Sequence, residues 1–295
     1  MQIKDLQKLG IGLLVGCGLL ACGGEPPAPA VTEAAPPTNP GSTASANVQV
    51  FENEMTIEGT GRPRTIRLYL PPDYALSQKR YSVLYMHDGQ NLFDDKTAYA
   101  GEWGVDEFFD ARAKAGKSVP IVVGIDHGGE RRNTEMVPWT PHGGANDESL
   151  AYVRFVVDQV KPWVDKHYRT WADPQHTAVM GSSLGGLISH FMINQYPDVF
   201  SKAGIFSPSY WVSEYAFKQI EHVSLPHDAK LYFVVGGQED AKMVSNTLKV
   251  ATLLQDNGFP ISQFRVKVVQ QGEHNEVFWG SEFEGAYQWL FGDPD

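Results

Sequence analysis

The sequence predicts an α/β fold, in which a mostly parallel central sheet carries helices on both faces. Beyond residue 47, short apolar runs of strand type alternate with amphipathic stretches of helical period. The run Val83–Met86 is continuously apolar, which is typical of a strand buried on both faces. About 250 residues remain after residue 47, and that length suits one large domain.

The predicted elements follow in a regular order. Residues 48–51 with 56–57, and then 65–70, indicate an antiparallel opening pair, ended by two prolines. The later predicted strands are 83–86, 119–125, 178–180, 203–206, 231–235 and 264–269. The predicted helices are 105–115, 149–168, 184–195, 241–256 and 277–290. The loop 126–147 is long for a compact domain, and such loops are usually functional or disordered.

The first 47 residues are predicted to lie outside this fold. Residues 1–21 combine Lys4 and Lys8 with a short apolar run, as in a cleaved export signal. The stretch ending at Cys22 resembles the lipobox of bacterial lipoproteins, which implies lipidation of Cys22 and a membrane anchor. Residues 22–47, rich in Pro, Ala and Thr, indicate a flexible linker. An ordinary signal peptide that contains a cysteine is the alternative.

The predicted lipoprotein signal implies that the folded domain, residues 48–295, lies in the periplasm or outside the cell. Gly23 rather than aspartate follows Cys22, which favours the outer membrane. Cys17 and Cys22 are the two cysteines, so the domain has no thiol for a disulfide, a nucleophile or a metal site. The formal net charge is −11 without a Lys/Arg cluster, which argues against a nucleic-acid partner.

A nucleophile motif lies between a predicted strand and a predicted helix. Residues 181–185 read G-S-S-L-G, a G-x-S-x-G match in the place of the nucleophile elbow of the α/β-hydrolase fold. The serine of such an elbow occupies a strained turn, so its neighbours must be very small. Gly181, Gly185 and Gly186 meet that need. We therefore predict Ser183 as the nucleophile.

A serine nucleophile needs a general base and an acid that orients the base. Of nine histidines, His274 lies just past the last predicted strand, where this fold places its base. His190 is expected to pack inside its helix, whereas His87 ends an earlier strand and could border the pocket. The acid should follow the preceding strand, where Glu239 and Asp240 both qualify.

Four further segments carry a resemblance to a known family: LYMHDGQNLF at 84–93, GEWGVD at 101–106, RNTEMVP at 132–138 and FSPSYW at 206–211. With the serine and histidine loops, they resemble the putative-esterase family of α/β-hydrolases. That family includes feruloyl and acetyl-xylan esterases, siderophore esterases, S-formylglutathione hydrolases and mycolyltransferases.

The resemblance implies an acyl-serine reaction with Ser183 as nucleophile and His274 as base. It favours Glu239 as the acid, with Asp240 as the alternative. It also implies an oxyanion hole from the backbone N–H groups of Leu184 and Gln90. No cofactor is implied.

No metal is expected either. Four side chains could be imagined as metal ligands, but no recognisable ligand spacing connects Asp88, Asp126, His127 and His142.

Aromatic residues occupy loops near the catalytic ends of the predicted strands. Such rings could stack on a sugar or hold an aryl acyl group, and packing over the core is the alternative for each one. The candidates are Trp103, Trp139, Tyr210, Trp211 and Trp279. Arg131 or Arg132 could hold an anionic substrate, although a structural Arg132–Glu135 ion pair that pins the long loop is preferred.

The sequence therefore predicts a serine ester hydrolase that acts outside the cytoplasm. Feruloyl or acetyl esters of polysaccharides are the favoured substrates, so the partner is a small-molecule or carbohydrate ester. Three alternatives remain: a siderophore trilactone esterase, an acyltransferase of the same fold, and a non-catalytic tethered binding protein.

Overall fold

A computed structural model describes residues 41–140, 142–220, 225–226 and 228–292. The predicted signal segment, Cys22 and the linker up to residue 40 lie outside this part. The strands are β1 Val48–Ile57, β2 Arg62–Tyr69, β3 Val83–His87, β4 Ile121–Ile125, β5 Thr177–Ser182, β6 Lys202–Phe206, β7 Lys230–Gly236 and β8 Phe264–Val269.

These strands form one sheet in the order β1-β2-β4-β3-β5-β6-β7-β8. β1 pairs antiparallel with β2, and β2 pairs antiparallel with β4. All further neighbours in the sheet, from β4 through β3 to β8, are parallel. The predicted antiparallel opening and mostly parallel sheet are confirmed.

The helices between the strands are α1 Val105–Lys114, α2 Arg132–Met136, α3 Asp147–Arg154, α4 Lys161–His167, α5 Leu184–Gln195, α6 Tyr215–Ile220, α7 Ala241–Asp256 and α8 Glu276–Phe291. A π-helical stretch, Phe155–Val160, joins α3 to α4, so the helix predicted over 149–168 is continuous but irregular. The long loop 126–147 contains the short helix α2, which was not predicted from the sequence. Across the described ranges, no helix has the length and apolar character needed to cross a membrane.

The sheet is packed on both faces because alternate strand residues point to opposite sides. In β3, Val83 and Tyr85 belong to the apolar cluster formed with helices α2 to α7. Leu84 and Met86 belong to the second cluster, formed with α1 and α8. All four side chains are at most 1% exposed, and each such burial contributes roughly 1.5–3 kcal/mol.

Residues 42–47, predicted to belong to the linker, lie against the domain. The Ser42 hydroxyl donates to Asp94 Oδ2 at 2.7 Å. The Ser45 N–H donates to Asp106 Oδ2, also at 2.7 Å. The folded part therefore begins several residues before the predicted boundary, because carboxylates in and before α1 accept hydrogen bonds from this segment.

A buried ion pair joins β2 to α2. Arg64 Nη2 lies 2.7 Å from Glu135 Oε1, and the two side chains are 2% and 0% exposed. Arg62 Nε lies 3.2 Å from the same oxygen. The expected Arg132–Glu135 pair is therefore wrong, because Glu135 faces the sheet and binds arginines 71 and 73 positions earlier in the chain.

Glu135→Ala should lower the free energy of unfolding by about 3–5 kcal/mol, because Arg64 would stay buried without its partner. Urea unfolding followed by circular dichroism measures the loss. Glu148→Ala is the matched control, since Glu148 is 36% exposed where it pairs with Arg62 at 3.0 Å. The control should cost less than about 1 kcal/mol. Equal losses in the two variants would contradict the assignment.

Candidate active site

Ser183 lies in a sharp turn between β5 and α5. Its backbone has φ 58° and ψ −118°, a conformation that non-glycine residues rarely adopt. The Ser183 N–H donates to the carbonyl oxygen of Phe206 at 2.9 Å, which ties the turn to β6. The turn therefore presents the serine at the carboxyl edge of the sheet, in the place that the G-S-S-L-G motif indicates.

Gly181 and Gly186 provide the space that this turn requires. A Cβ atom on Gly181 would lie 2.7 Å from the carbonyl carbon of Gly185. A Cβ atom on Gly186 would lie 2.7 Å from the carbonyl oxygen of Phe206. Because the opposing atoms belong to the backbone, neither position can carry a side chain unless the turn shifts.

His274 lies between Ser183 and Glu239. Its Nε2 is 3.0 Å from Ser183 Oγ, and its Nδ1 is 2.8 Å from Glu239 Oε2. Because a carboxylate accepts only, Nδ1 carries the proton, and Nε2 is left to accept from the serine hydroxyl. The three side chains follow β5, β7 and β8, and together they have the geometry of a Ser–His–acid triad.

Glu239, and not Asp240, contacts the histidine. The Glu239 side chain is 1% exposed. Its Oε1 accepts the N–H of Gly236 at 2.8 Å and the hydroxyl of Ser207 at 2.6 Å. Asp240 instead caps α7, because its Oδ1 accepts an N–H from the first turn of that helix at 2.8 Å. Of the two candidate acids, the structure thus brings Glu239 to the base.

Trp279 contacts the residues that hold the acid and the base of the triad. Its Nε1 donates to Ser207 Oγ at 2.9 Å, and Ser207 in turn donates to Glu239. The indole also packs edge-on against the His274 ring, with ring centroids 4.9 Å apart. Trp279 is 4% exposed, so the alternative of packing over the core describes its position. Its contacts link Ser207 to the His274 ring.

Ser207 and Ser209 contact the triad, and the sequence alone did not point to either of them. Ser209 Oγ lies 3.1 Å from Ser183 Oγ, and the Ser209 N–H donates to the Ser183 carbonyl oxygen at 3.1 Å. Both residues belong to the FSPSYW segment after β6, so that segment was the available signal. Its contacts to the triad depend on how β6 lies beside β5 and β7, which the segment itself does not encode.

The predicted oxyanion hole lies where two helical turns begin. Leu184 is the first residue of α5, and Gln90 lies in the 3₁₀ turn Gly89–Asn91 after β3. N–H groups in a first turn have no acceptor inside their own helix. The two turns are adjacent, since a Cβ atom on Gly185 would lie 3.2 Å from Asp88 Oδ2. These amides and the positive end of α5 can stabilise an oxyanion.

Arg132 is bound to Asp88 in a bidentate pair. Its Nε and Nη2 donate to the two carboxylate oxygens at 2.7 and 2.8 Å. The pair ties the loop that carries Gln90 to α2. Asp126 is held in the same way by Arg67, at 2.8 and 3.0 Å. Two of the four imagined metal ligands are therefore engaged by arginines.

Two buried histidines hold tyrosines in the core. His87 Nδ1 lies 2.7 Å from the Tyr152 hydroxyl, and His190 Nδ1 lies 2.7 Å from the Tyr210 hydroxyl. Burial lowers the pKa of His87 to about 4 and the pKa of His190 to about 3, so both rings are neutral at pH 7. His190 packs as expected. His87 is 1% exposed, and its ring is bound to Tyr152.

Of the five aromatic residues predicted to contact substrate, Trp211 has the exposed ring. It is 62% exposed and lies two residues beyond Ser209. The other four pack inside the protein or against its core: Trp103, Trp139, Tyr210 and Trp279. For these four, the alternative of packing over the core describes the structure.

The fold and this geometry define an α/β-hydrolase whose Ser–His–Glu set lies at the carboxyl edge of the sheet. The chain belongs to the Esterase family, whose model, described as "Putative esterase", matches residues 57–290. The predicted family and the α/β-hydrolase fold are thereby confirmed.

Individual relatives agree with this membership. The uncharacterized protein YbbA of Bacillus subtilis is 29% identical over 245 residues, covering 78% of this chain and 93% of YbbA. The endo-1,4-beta-xylanase/feruloyl esterase of Xylanibacter ruminicola is 25% identical, covering 79% of this chain and 30% of that protein. The structure of siderophore hydrolase EstB from Aspergillus nidulans matches with a TM-score of 0.68 at 16% identity, covering 84% of this chain and 97% of EstB. At that identity the likeness shows the fold alone.

Ser207→Ala should lower kcat for p-nitrophenyl acetate about tenfold, since one hydrogen bond to a charged group contributes about 1.5 kcal/mol. KM should change little, because Ser207 lies beneath the acid. Ser201→Ala is the matched control. Ser201 is also buried, but it precedes β6, whereas Ser207 follows that strand. Equal kcat values for the two variants would exclude the positioning role of Ser207.

Proposed function

We propose that the protein is a serine carboxylic-ester hydrolase that works through an acyl-serine intermediate. The observation that carries the proposal is the hydrogen-bonded row from Ser183 Oγ through His274 to Glu239. The first-turn amides of Leu184 and Gln90 beside this row supply the second requirement of acyl transfer. Membership of the Esterase family supports ester substrates.

The proposed reaction has two halves. His274 Nε2 takes the Ser183 proton as Oγ attacks the ester carbonyl carbon, and the resulting oxyanion accepts hydrogen bonds from Leu184 and Gln90. His274 then gives the proton to the leaving alcohol as the C–O bond breaks, which leaves the acyl group on Ser183. Water, deprotonated by His274, attacks that acyl group. Collapse returns the proton to Ser183 and releases the acid.

Ser183→Ala and His274→Ala should each lower kcat/KM for p-nitrophenyl acetate by at least about 10³-fold, because the nucleophile and its base act as a unit. The thermal midpoint, measured by scanning fluorimetry, should stay near that of the unmodified protein. Activity that survives Ser183→Ala would overturn the mechanism.

The acid allows a matched comparison within the same assay. Glu239→Gln should lower kcat by about 10²-fold or more, because the amide no longer favours the proton on His274 Nδ1. Asp240→Asn, one residue on, should leave kcat within about twofold, since an asparagine also caps a helix.

Feruloyl or acetyl esters of polysaccharides are the substrates that we propose. The exposed ring of Trp211, two residues beyond Ser209, can stack on a sugar or an aryl acyl group. A relative whose name includes feruloyl esterase supports the same class. Arg132 is engaged by Asp88, which removes one of the two arginines that could hold an anionic catecholate. Arg131 is 58% exposed and lies 3.7 Å from Glu148, so the siderophore trilactone stays as the alternative substrate.

Trp211→Ala should lower kcat/KM for methyl ferulate about tenfold, and should lower it less for p-nitrophenyl acetate, because the small acyl group gives the ring less to stack on. Trp171→Ala is the control, because Trp171 is also exposed, at 47%, but lies at the opposite edge of the sheet. It follows Thr170, which pairs with Tyr81 just before the amino end of β3. Faster hydrolysis of a catecholate trilactone than of methyl ferulate would favour the siderophore alternative. Ester exchange to an added sugar that outpaces hydrolysis would favour the acyltransferase.

We also propose that the protein acts outside the cytoplasm, anchored through lipid on Cys22. This proposal rests on the sequence of residues 1–22 alone. Radiolabelled palmitate should be incorporated by the full chain and lost in Cys22→Ser. Equal labelling of both chains would contradict the anchor.

A further inference from the structure

Three carboxylates meet where α1 begins: Glu102, Asp106 and Glu107. One oxygen from each lies within 4.8 Å of the other two. Among the described residues, these three form the one group of His, Cys, Asp or Glu side chains close enough to bind a single metal ion. None of the three residues belongs to the triad or contacts it.

Asp106 has a buried carboxylate oxygen that no hydrogen-bond donor reaches. Its side chain is 0% exposed. Oδ2 accepts the N–H of Ser45 at 2.7 Å, but buried Oδ1 has no hydrogen-bond donor. Oδ1 shares the cluster with the carboxyl group of Glu107, which is itself an acceptor unless a proton lies between them. Glu102 Oε2 is likewise buried without a donor. Buried carboxylate oxygens of this kind require a proton or a cation.

Three carboxyl groups this close together repel one another when they are ionised. An added positive charge between them would relieve that repulsion.

We propose that Glu102, Asp106 and Glu107 bind one Ca²⁺ ion. Carboxylate oxygens are the ligands that Ca²⁺ prefers, and Ca–O bonds of about 2.4 Å let oxygens lie up to roughly 4.8 Å apart across the ion. Mg²⁺ usually takes one or two carboxylates and keeps several waters, so three protein carboxylates favour Ca²⁺. Glu107 is exposed, which gives the ion a path from solvent.

The ion would act on stability and not on the ester reaction. Ser45, which binds Asp106, belongs to the N-terminal segment packed on the domain, whereas Glu102 belongs to the loop before α1. Trp103 lies between the ligands in sequence and packs on Trp279 with ring centroids 6.1 Å apart. The ion would thus hold this segment and this loop together behind the triad.

Calcium binding can be measured directly on the full chain after removal of metal with EDTA. Calorimetric titration with CaCl₂ should reveal one site per molecule. Tb³⁺ should emit on indole excitation, because Trp103 adjoins the ligands, and Ca²⁺ should displace it. The thermal midpoint should rise by about 5 °C at a hundredfold excess of Ca²⁺ over its Kd.

Glu107→Gln should weaken Ca²⁺ binding about tenfold or more, since it removes one charged ligand from an exposed position where the fold is not at risk. Asp106→Asn should weaken it further. Glu58→Gln, an exposed change in the β1–β2 turn, should bind as the unmodified protein does. A thermal midpoint equal in Ca²⁺ and EDTA, with no heat and no Tb³⁺ emission, would overturn the proposal in favour of a proton shared by Asp106 and Glu107. Unchanged Ca²⁺ affinity in Glu107→Gln would overturn it as well.

Discussion

The backbone contact between the start of α5 and the end of β6 is the constraint on which the site depends. Gly186 lets the two backbones approach, and the carbonyl oxygen of Phe206 accepts the N–H of Ser183. Ser183 is thereby held in a conformation that a free chain rarely adopts. The chain that leaves Phe206 continues into Ser207 and Ser209, so one junction positions the nucleophile, its hydroxyl neighbour and the support of the acid.

The buried charged groups near the site find their partners in segments that are far apart in the chain. Arg64 binds Glu135 and Arg132 binds Asp88, which ties α2 to β2 on one side and to the loop after β3 on the other. The triad acid is treated in the same way, because three different segments donate to its two oxygens. Such buried networks hold a geometry only when each member has its partner, so the loops of the catalytic edge are fixed by contacts between segments.

Aromatic residues near the site divide by burial. Trp103 and Trp279 belong to the cluster between the sheet and α8, and Trp279 adds a hydrogen bond to its packing. Trp211 remains at the surface. Two of the predicted loop tryptophans therefore pack against the core beside the triad, whereas Trp211 keeps its ring in solvent.

The sequence by itself determined the order of the strands and of the longer helices, the elbow at Ser183 and the position of His274, but not the short helices α2 and α6. These features rest on local signals: apolar periodicity, small residues around a turn, and the place of a residue after a strand. The tertiary structure decided for Glu239 over Asp240, gave Arg132 and Glu135 their partners, and placed Trp279 beneath the triad. Each of these outcomes is a distance between segments far apart in the chain. Local patterns do not encode such distances, because they depend on how neighbouring strands lie side by side in the finished sheet.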